Sequence, residues 1–376
     1  MRVAVALGVR VAGVAGDAAG EICDDVGGHI RVVALVDRDG GGGVRDVDEH
    51  RPAVHAERRH GLGDRARDVD HLLAPLGAKR EPVHDPDRIP SGAVAQRPLL
   101  VIDGDSLAHR AYHGSRPLAG AGGRPINALH GFAIMAMGLW RAEKPRAVLA
   151  CWDTLTVPTY RHKEWPEYQA GREFDPEILE QLDRMPELCE ALGFAWAKAA
   201  GYEADDLLAT AARLETEAGG RALVVTSDRD AYQLVADSVT VLAPRTGGYA
   251  PDRVDRAEVV ERYGVEPEQV PDFIALRGDP SDKIPGAKGI GAKGAADLLS
   301  RYRTLEGIVE AADELSPRQA EAVQDERLAL FRRVATMDRT APVRRPRDNT
   351  LDVERGVAFA REIGDERLAE RIPGRD

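Results

Sequence analysis

Three apolar runs in this chain stop at an aspartate: Leu99-Leu-Val-Ile-Asp103, Ala147-Val-Leu-Ala-Cys-Trp-Asp153 and Ala222-Leu-Val-Val-Thr-Ser-Asp228. Runs this short and apolar read as strands buried on both faces, as in a parallel sheet. In open α/β sheets, ligand-binding groups gather beyond the carboxyl ends of the strands. More acids follow in Glu203-Ala204-Asp205-Asp206, Asp228-Arg229-Asp230 and Asp279-Pro280-Ser281-Asp282. Carboxylates converging on one crevice repel each other strongly unless cations bind between them. The pattern therefore constrains the chain to an α/β fold with an acidic edge that calls for metal.

The alternation around these runs predicts a mostly parallel sheet flanked by helices. Strand 99–103 leads to a helix near 106–112. Ile126 to Glu143 is apolar at helical spacing, and strand 147–153 follows. Asp175-Pro176 supplies a cap and a first-turn proline for a helix over 176–192. A short strand at 194–197, a helix from Glu203 to Glu217 and a strand at 222–227 come next. After about residue 252 the signal turns helical, with candidates at 256–263, 267–277, 293–302 and 321–336. The expected division is an α/β core over 97–252, a helical subdomain over 253–343 and a charged tail over 344–376. An amphipathic piece lies near 353–371 of that tail.

Residues 1–96 stand apart. They contain no Phe, Tyr, Trp, Asn or Thr and a single Lys, and they hold six of the ten histidines. Such a stretch is expected to be disordered or weakly structured, or a spurious upstream extension. A dinucleotide-binding reading fails, because the glycines are spaced GxxGxxxG and no second βαβ unit follows.

The net charge of −12 argues at first sight against an anionic partner. Each divalent ion in the crevice, however, would restore two positive charges locally. Cys23, Cys151 and Cys189 form no CxxC pair. Cys151 and Cys189 read as buried free thiols, consistent with a reducing cytoplasm. No apolar stretch reaches the ~20 residues that span a bilayer, so no membrane partner is expected.

Two further segments carry chemistry. Gly286-Ala287-Lys288-Gly289-Ile290-Gly291-Ala292-Lys293 is a glycine-rich loop running into a helix. Glycines let a backbone approach a phosphate, and a helix start offers unpaired N–H groups. A P-loop is excluded, because no GKS or GKT follows. Tyr160 to Arg172 interleaves basic and aromatic residues just after Asp153, as a segment gripping a nucleic-acid strand would. Taken singly, each motif has a plain alternative: helix caps or a turn for the acids, a packing corner for the glycines, a polar loop for 160–172. Four acid groups with spare carboxylates exceed what capping requires.

At these residues the chain resembles the 5′ nuclease family, which includes the 5′→3′ exonuclease domain of bacterial DNA polymerase I, stand-alone 5′→3′ exonucleases and flap endonucleases. The resemblance covers about 97–340. It implies a PIN-like nuclease core and a helix–three-turn–helix motif at Gly286, Lys288, Gly289, Ile290, Gly291 and Lys293 that binds duplex DNA and can hold a monovalent cation. It also implies two magnesium or manganese ions. Asp103, Asp153, Glu203, Asp205 and Asp206 would hold the first; Asp228, Asp230, Asp279 and Asp282 would hold or influence the second. Segment 160–192 would form a helical arch over the site. The expected activity is 5′→3′ exonuclease and 5′-flap cleavage by a cytoplasmic monomer acting on DNA with a duplex and a free 5′ end.

One position departs from the family. Its arch usually carries Tyr-Lys-x-x-Arg, with the lysine facing the scissile phosphate; here the match is Tyr168-Gln169-Ala170-Gly171-Arg172. Gln169 brings a donor without charge, which leaves Arg161 and Arg172 as candidate phosphate clamps. Two other readings compete. Gln169 motivates a DNA-binding protein with weakened catalysis. Asp103-Gly104-Asp105-Ser106 resembles the DxD start of haloacid-dehalogenase-like phosphatases, a family that gives the glycine–lysine loop no role.

Overall fold

A computed structural model of the chain describes residues 97–171, 173–245 and 250–374. The expectations placed on 1–96 and on Arg172 lie outside the described residues. Strands β1 (Leu99–Asp103), β2 (Ala147–Trp152), β3 (Ala195–Lys198), β4 (Ala222–Val225), β5 (Val239–Ala243) and β6 (Asp252–Val254) form one sheet in the order β3-β2-β1-β4-β5-β6. All neighbours pair in parallel except β6, which runs antiparallel along β5. A parallel sheet must bury both faces. Thus β1 sends Leu99 and Val101 into one core and Leu100 and Ile102 into the other.

The first helices are α1 (Gly104–Gly114), α2 (Asn127–Glu143), α3 (Tyr160–Glu164), α4 (Pro176–Ala191) and α5 (Ala204–Glu217). The helical part follows with α6 (Arg256–Tyr263), α7 (Val270–Arg277), α8 (Ala292–Tyr302), α9 (Leu305–Glu310), α10 (Pro317–Val323) and α11 (Arg327–Ala335). Two last helices are α12 (Val353–Glu362) and α13 (Glu366–Arg371). The single helix expected over 321–336 is broken where the Asp325 carboxylate accepts the Arg327 N–H at 3.0 Å and starts α11 afresh. Strands β5 and β6 escape the sequence pattern, because five and three residues carry too little periodicity.

Two expected boundaries change. The arch does not extend to 192. Helix α4 buries Ile178, Met185, Leu188 and Cys189 in the same core as Phe132 and Met137 of α2, so it is a fixed layer of the sheet domain. Nor is 344–376 a tail. Phe359, Ala360, Ile363, Leu368 and Ile372 join that core. Ahead of them, Asn349 works as a strand substitute. Its side-chain amide accepts from Val148 N at 2.8 Å and donates to Val148 O at 3.0 Å, one residue before β3 begins to pair with β2.

The same junction holds a buried ion cluster. Glu215, fully buried on α5, accepts from Arg146 Nε at 2.8 Å and from Arg345 Nε at 2.8 Å, while Arg146 Nη1 reaches Pro346 O at 2.9 Å. The two arginines hold the Glu215 carboxyl below its ordinary value of 4.5, against the opposing pull of burial. Its contribution to stability is therefore present above pH ~4.5 and is lost as pH falls through the lower folded value. We expect Glu215→Ala to destabilise the fold by about 3–5 kcal/mol in urea unfolding at pH 7, because a buried arginine loses its partner. Glu215→Gln should also remove that part of the acid sensitivity of the melting temperature. A loss under ~1 kcal/mol would show that water satisfies Arg146.

Candidate active site

The chain leaves β1 toward β2 and β3 on one side and returns to β4 on the other, so the switch point lies between β1 and β4. Asp103 ends β1 and caps α1. Its Oδ1 accepts Ser106 N at 2.9 Å, and its Oδ2 accepts the Thr226 hydroxyl at 2.7 Å. Thr226 Oγ1 in turn accepts Asp228 N at 3.0 Å, and Asp228 Oδ1 accepts Asp230 N at 2.8 Å. On the other side, Asp153 Oδ1 accepts Ala204 N, the first amide of α5, at 2.7 Å. Sheet end and helix start are thus tied together by the carboxylates themselves.

A crevice of about 1490 Å³ opens at this edge. Of the nine expected acids, Asp103, Asp153, Glu203, Asp205, Asp228, Asp230 and Asp279 line it. Asp282 lies just outside the lining, within the electrostatic field of Glu203 and Asp230. Asp105 also lines the crevice, although the expected ligand set omits it. Its signal in the sequence was the Asp-Gly-Asp spacing, which pointed instead toward a phosphatase. Farther out the crevice runs along α1, past His109, His113 and Phe174. The His109 ring lies 5.4 Å from Phe174 and 6.1 Å from His113, centroid to centroid.

Asp206 and Arg161 sit differently from the sequence expectation. Asp206 is fully buried and takes no part in lining the crevice. Arg161 Nη1 donates to Asp206 Oδ2 and Nη2 to Oδ1, both at 2.7 Å, and Nε donates to Val334 O at 2.8 Å. Asp206 also accepts Glu203 N at 3.1 Å and Asp338 N at 2.8 Å. With this bidentate pair formed, the guanidinium expected at the phosphate faces the protein interior, and the carboxylate expected at the metal is already filled. Arg161 Nη1 also stands 3.3 Å from Glu203 Oε2, so the pair steadies one of the crevice acids.

Beyond α3 the chain folds down onto the site. The Tyr168 hydroxyl donates to Glu203 Oε2 at 3.1 Å and reaches Asp282 Oδ2 at 3.3 Å. Gln169 Nε2 donates to Asp282 Oδ1 at 2.9 Å, and Lys283 Nζ contacts Ala170 O. Gln169 therefore meets the acids of the second group through an amide.

The glycine loop joins α7 to α8 and begins inside the crevice. Asp279 and Ile284 exchange two backbone hydrogen bonds of 2.8 Å, and Asp279 Oδ2 accepts Arg277 Nη2 at 3.0 Å. Gly278 and Gly286 pack on each other with φ of 82° and 73°; a Cβ on Gly286 would lie 2.4 Å from Gly278 N. No other residue fits that contact. Ile290 is buried, whereas Lys288, Gly289, Gly291 and Lys293 are exposed around the start of α8.

The crevice carboxyls bear the cost of their crowding. Burial, with added repulsion from Asp153 and Asp228, raises Asp103 to about 7 despite its hydrogen bonds. Burial raises Glu203 to about 7, against Arg161 and with Asp153, Asp206 and Asp282. Asp205 and Asp230 are held well above the ordinary range by burial and then by Asp228. Among the described residues, no three His, Cys, Asp or Glu side chains already converge to hold a metal ion. The donor set nevertheless fits a hard divalent cation: it is all oxygen, and it suffers a repulsion that a cation relieves.

For these groups the folded state binds extra protons between the ordinary values of 3.8 and 4.5 and about 7. Their effect on stability is most favourable at low pH and is lost as pH rises through about 7. In EDTA, the contribution of the crevice to the melting temperature should therefore fall from pH 5.5 to pH 8. Magnesium or manganese should raise the melting temperature far more at pH 8 than at pH 5.5. Equal stabilisation at both pH values would rule out cation binding by these carboxyls.

Two family models match in succession. Residues 98–264 match the 5′-3′ exonuclease N-terminal resolvase-like domain, and residues 265–355 match the 5′-3′ exonuclease C-terminal SAM fold. DNA polymerase I of Mycobacterium tuberculosis is 42% identical over 238 residues, which is 62% of this chain and 26% of that one. The thermostable DNA polymerase I of Thermus thermophilus is 38% identical over 238 residues, 62% of this chain and 28% of that one. The chain thus spans about a quarter of the length of these relatives. The bacteriophage T5 D15 flap endonuclease, in a pseudo-enzyme–product complex with DNA and metal ions, superposes with a TM-score of 0.53 at 21% identity, covering 74% of this chain and 98% of that one. The catalytic core of Rad2 with a DNA substrate gives 0.52 at 11% identity, covering 74% and 93%. These two likenesses concern the fold. With both domain models matched end to end over 98–355, the chain belongs to the 5′-3′ exonuclease family.

Proposed function

We propose that the protein is a metal-dependent 5′→3′ exonuclease that also cuts 5′ flaps from duplex DNA. The observation that carries this reading is the crevice itself. Carboxylates from the end of β1, the residue after β2, the start of α5, the segment after β4 and the loop after α7 face one space, and the last of these loops continues directly into the exposed glycines and lysines. Asp103, Asp153, Glu203 and Asp205 would hold one magnesium or manganese ion; Asp228, Asp230, Asp279 and Asp282 would hold or influence a second. When bound, such ions lower the pKa of an attacking water and stabilise the leaving oxygen of the phosphodiester. Asp206 and Arg161 belong to this reading as positioning residues for Glu203. Gln169 stands beside Asp282, where it can donate to a phosphate oxygen without adding charge.

The glycine loop is assigned to the duplex backbone, through the amides at Gly289 and Gly291 and the charges of Lys288 and Lys293. Contacts of this kind fix register without reading bases. The DNA and metal ions held by the T5 neighbour support the same substrate and cofactor class. No helix among the described residues is long and apolar enough to cross a membrane. We place the activity in the cytoplasm, in a monomer, with repair and replication intermediates as substrates.

Labelled 5′-flap DNA tests the reading. Asp205→Ala should lower the single-turnover rate by about 10²–10³-fold or more, the scale seen when one group that stabilises reacting charge is removed. Its duplex affinity should stay near that of the parent, because phosphate contacts dominate affinity. Lys288→Ala should instead weaken duplex binding evenly across sequences and reduce the salt slope by about one. Near-normal cutting by Asp205→Ala in magnesium would reject the metal assignment and leave a DNA-binding protein with another chemistry.

A further inference from the structure

Asp105 lines the acidic crevice but belongs to neither carboxylate group of the proposed function. Its place follows from the strand register. β1 and β2 pair in parallel up to Asp103 opposite Cys151. One residue later the chain of β1 turns into α1, while β2 continues to Trp152 and the chain runs on to Asp153. The backbone of β1 is then no longer available to Asp153. The Asp105 carboxylate takes over: its Oδ2 accepts Asp153 N at 2.7 Å. The approach depends on Gly104, because a Cβ there would stand 2.5 Å from indole carbons of Trp152. Asp105 also sits in the first turn of α1, where the helix start favours negative charge.

The bond continues into the site. Asp153, held by its backbone N–H, uses its own Oδ1 to accept Ala204 N at 2.7 Å, and Ala204 precedes the crevice acid Asp205. One chain of contacts thus runs from α1 through the end of β2 to the start of α5.

We propose that Asp105 is a positioning residue for Asp153, acting through the backbone N–H of that residue and not as a metal ligand. The inference rests on the reading of Asp153 as a metal ligand. What Asp105 must supply is a hydrogen-bond acceptor at the right length; its negative charge is secondary.

Two substitutions in the full chain separate acceptor from charge. Asp105→Asn keeps an oxygen at the same distance and removes the charge. Asp105→Glu keeps the charge and moves the acceptor by one methylene. Manganese affinity is read from free Mn²⁺ by electron paramagnetic resonance, and melting in EDTA confirms that each variant is folded. We expect Asp105→Asn to bind Mn²⁺ within about threefold of the parent and Asp105→Glu to bind about 10- to 100-fold more weakly, the range for loss of a partner that orients a ligand. Flap cleavage at limiting metal should follow the same order. The inference is overturned if Asp105→Glu matches the parent, or if Asp105→Asn loses as much as Asp105→Glu, since a direct metal ligand needs the charge. Asp153→Ala serves as the control. If it keeps the parent Mn²⁺ affinity, the metal reading of Asp153 fails and the role of Asp105 falls with it. If it loses affinity while both Asp105 variants keep theirs, only the present inference fails.

Discussion

Like charges brought close together in a protein edge must be held there by something stronger than their repulsion. Here that something is the parallel sheet. Strands β1, β2 and β4 are buried on both faces, and the chain at and just past their ends brings Asp103, Asp153 and Asp228 to one crevice. Burial first, and mutual repulsion after it, makes the carboxyls take up protons more readily, to about pH 7 for Asp103 and Glu203. A crevice in that condition favours any ligand that brings concentrated positive charge, and the rest of the molecule can be understood as keeping it in that condition.

Several polar contacts serve that purpose. Thr226 and the Ser106 amide hold both oxygens of Asp103. Arg161 fills Asp206 and steadies Glu203 from behind. The Tyr168 hydroxyl joins Glu203 to Asp282 across the two groups of acids. Each contact orients an acid that lines the crevice or stands beside it. Asp206 is the exception, because its oxygens are consumed by a guanidinium and backbone amides. Within one four-residue motif, neighbouring acids have thus taken up opposite tasks.

Much of this was legible in the chain before its fold was known. Apolar runs ending in aspartate located β1, β2 and β4, and most of the acids that meet in the crevice lie where their spacing placed them. What remained hidden depends on direction and distance, which residue types do not record. Arg161 stands among residues that suggest phosphate binding, yet its side chain turns inward, because Asp206 lies one helix start away and the Val334 carbonyl completes its coordination. Asp105 could not be assigned from the Asp-Gly-Asp spacing, because its role arises from the register of a strand about fifty residues later. The helices after 352 carried an amphipathic pattern, but their high charge masked the face that packs on α2 and α4. β6 is three residues long and pairs only along an edge, so it offered no period to detect.

The clasp of Asn349 on β2 bears on how the chain acquires its fold. Its partner Val148 lies about two hundred positions earlier, and the core between α2 and α4 is completed by Phe359, Ile363 and Ile372. Contacts with such large sequence separation slow the search for the native state, because a long loop must close before they form. Until the segment from Asn349 onward docks, the face of the core formed by α2 and α4 stays uncovered, and the Val148 backbone, one residue short of the β3 pairing, lacks its partner. An open apolar face is the kind of surface on which partly folded chains associate wrongly. Helices α12 and α13 thus act as a cover on assembly, and the sheet domain is most open to misassociation before they dock.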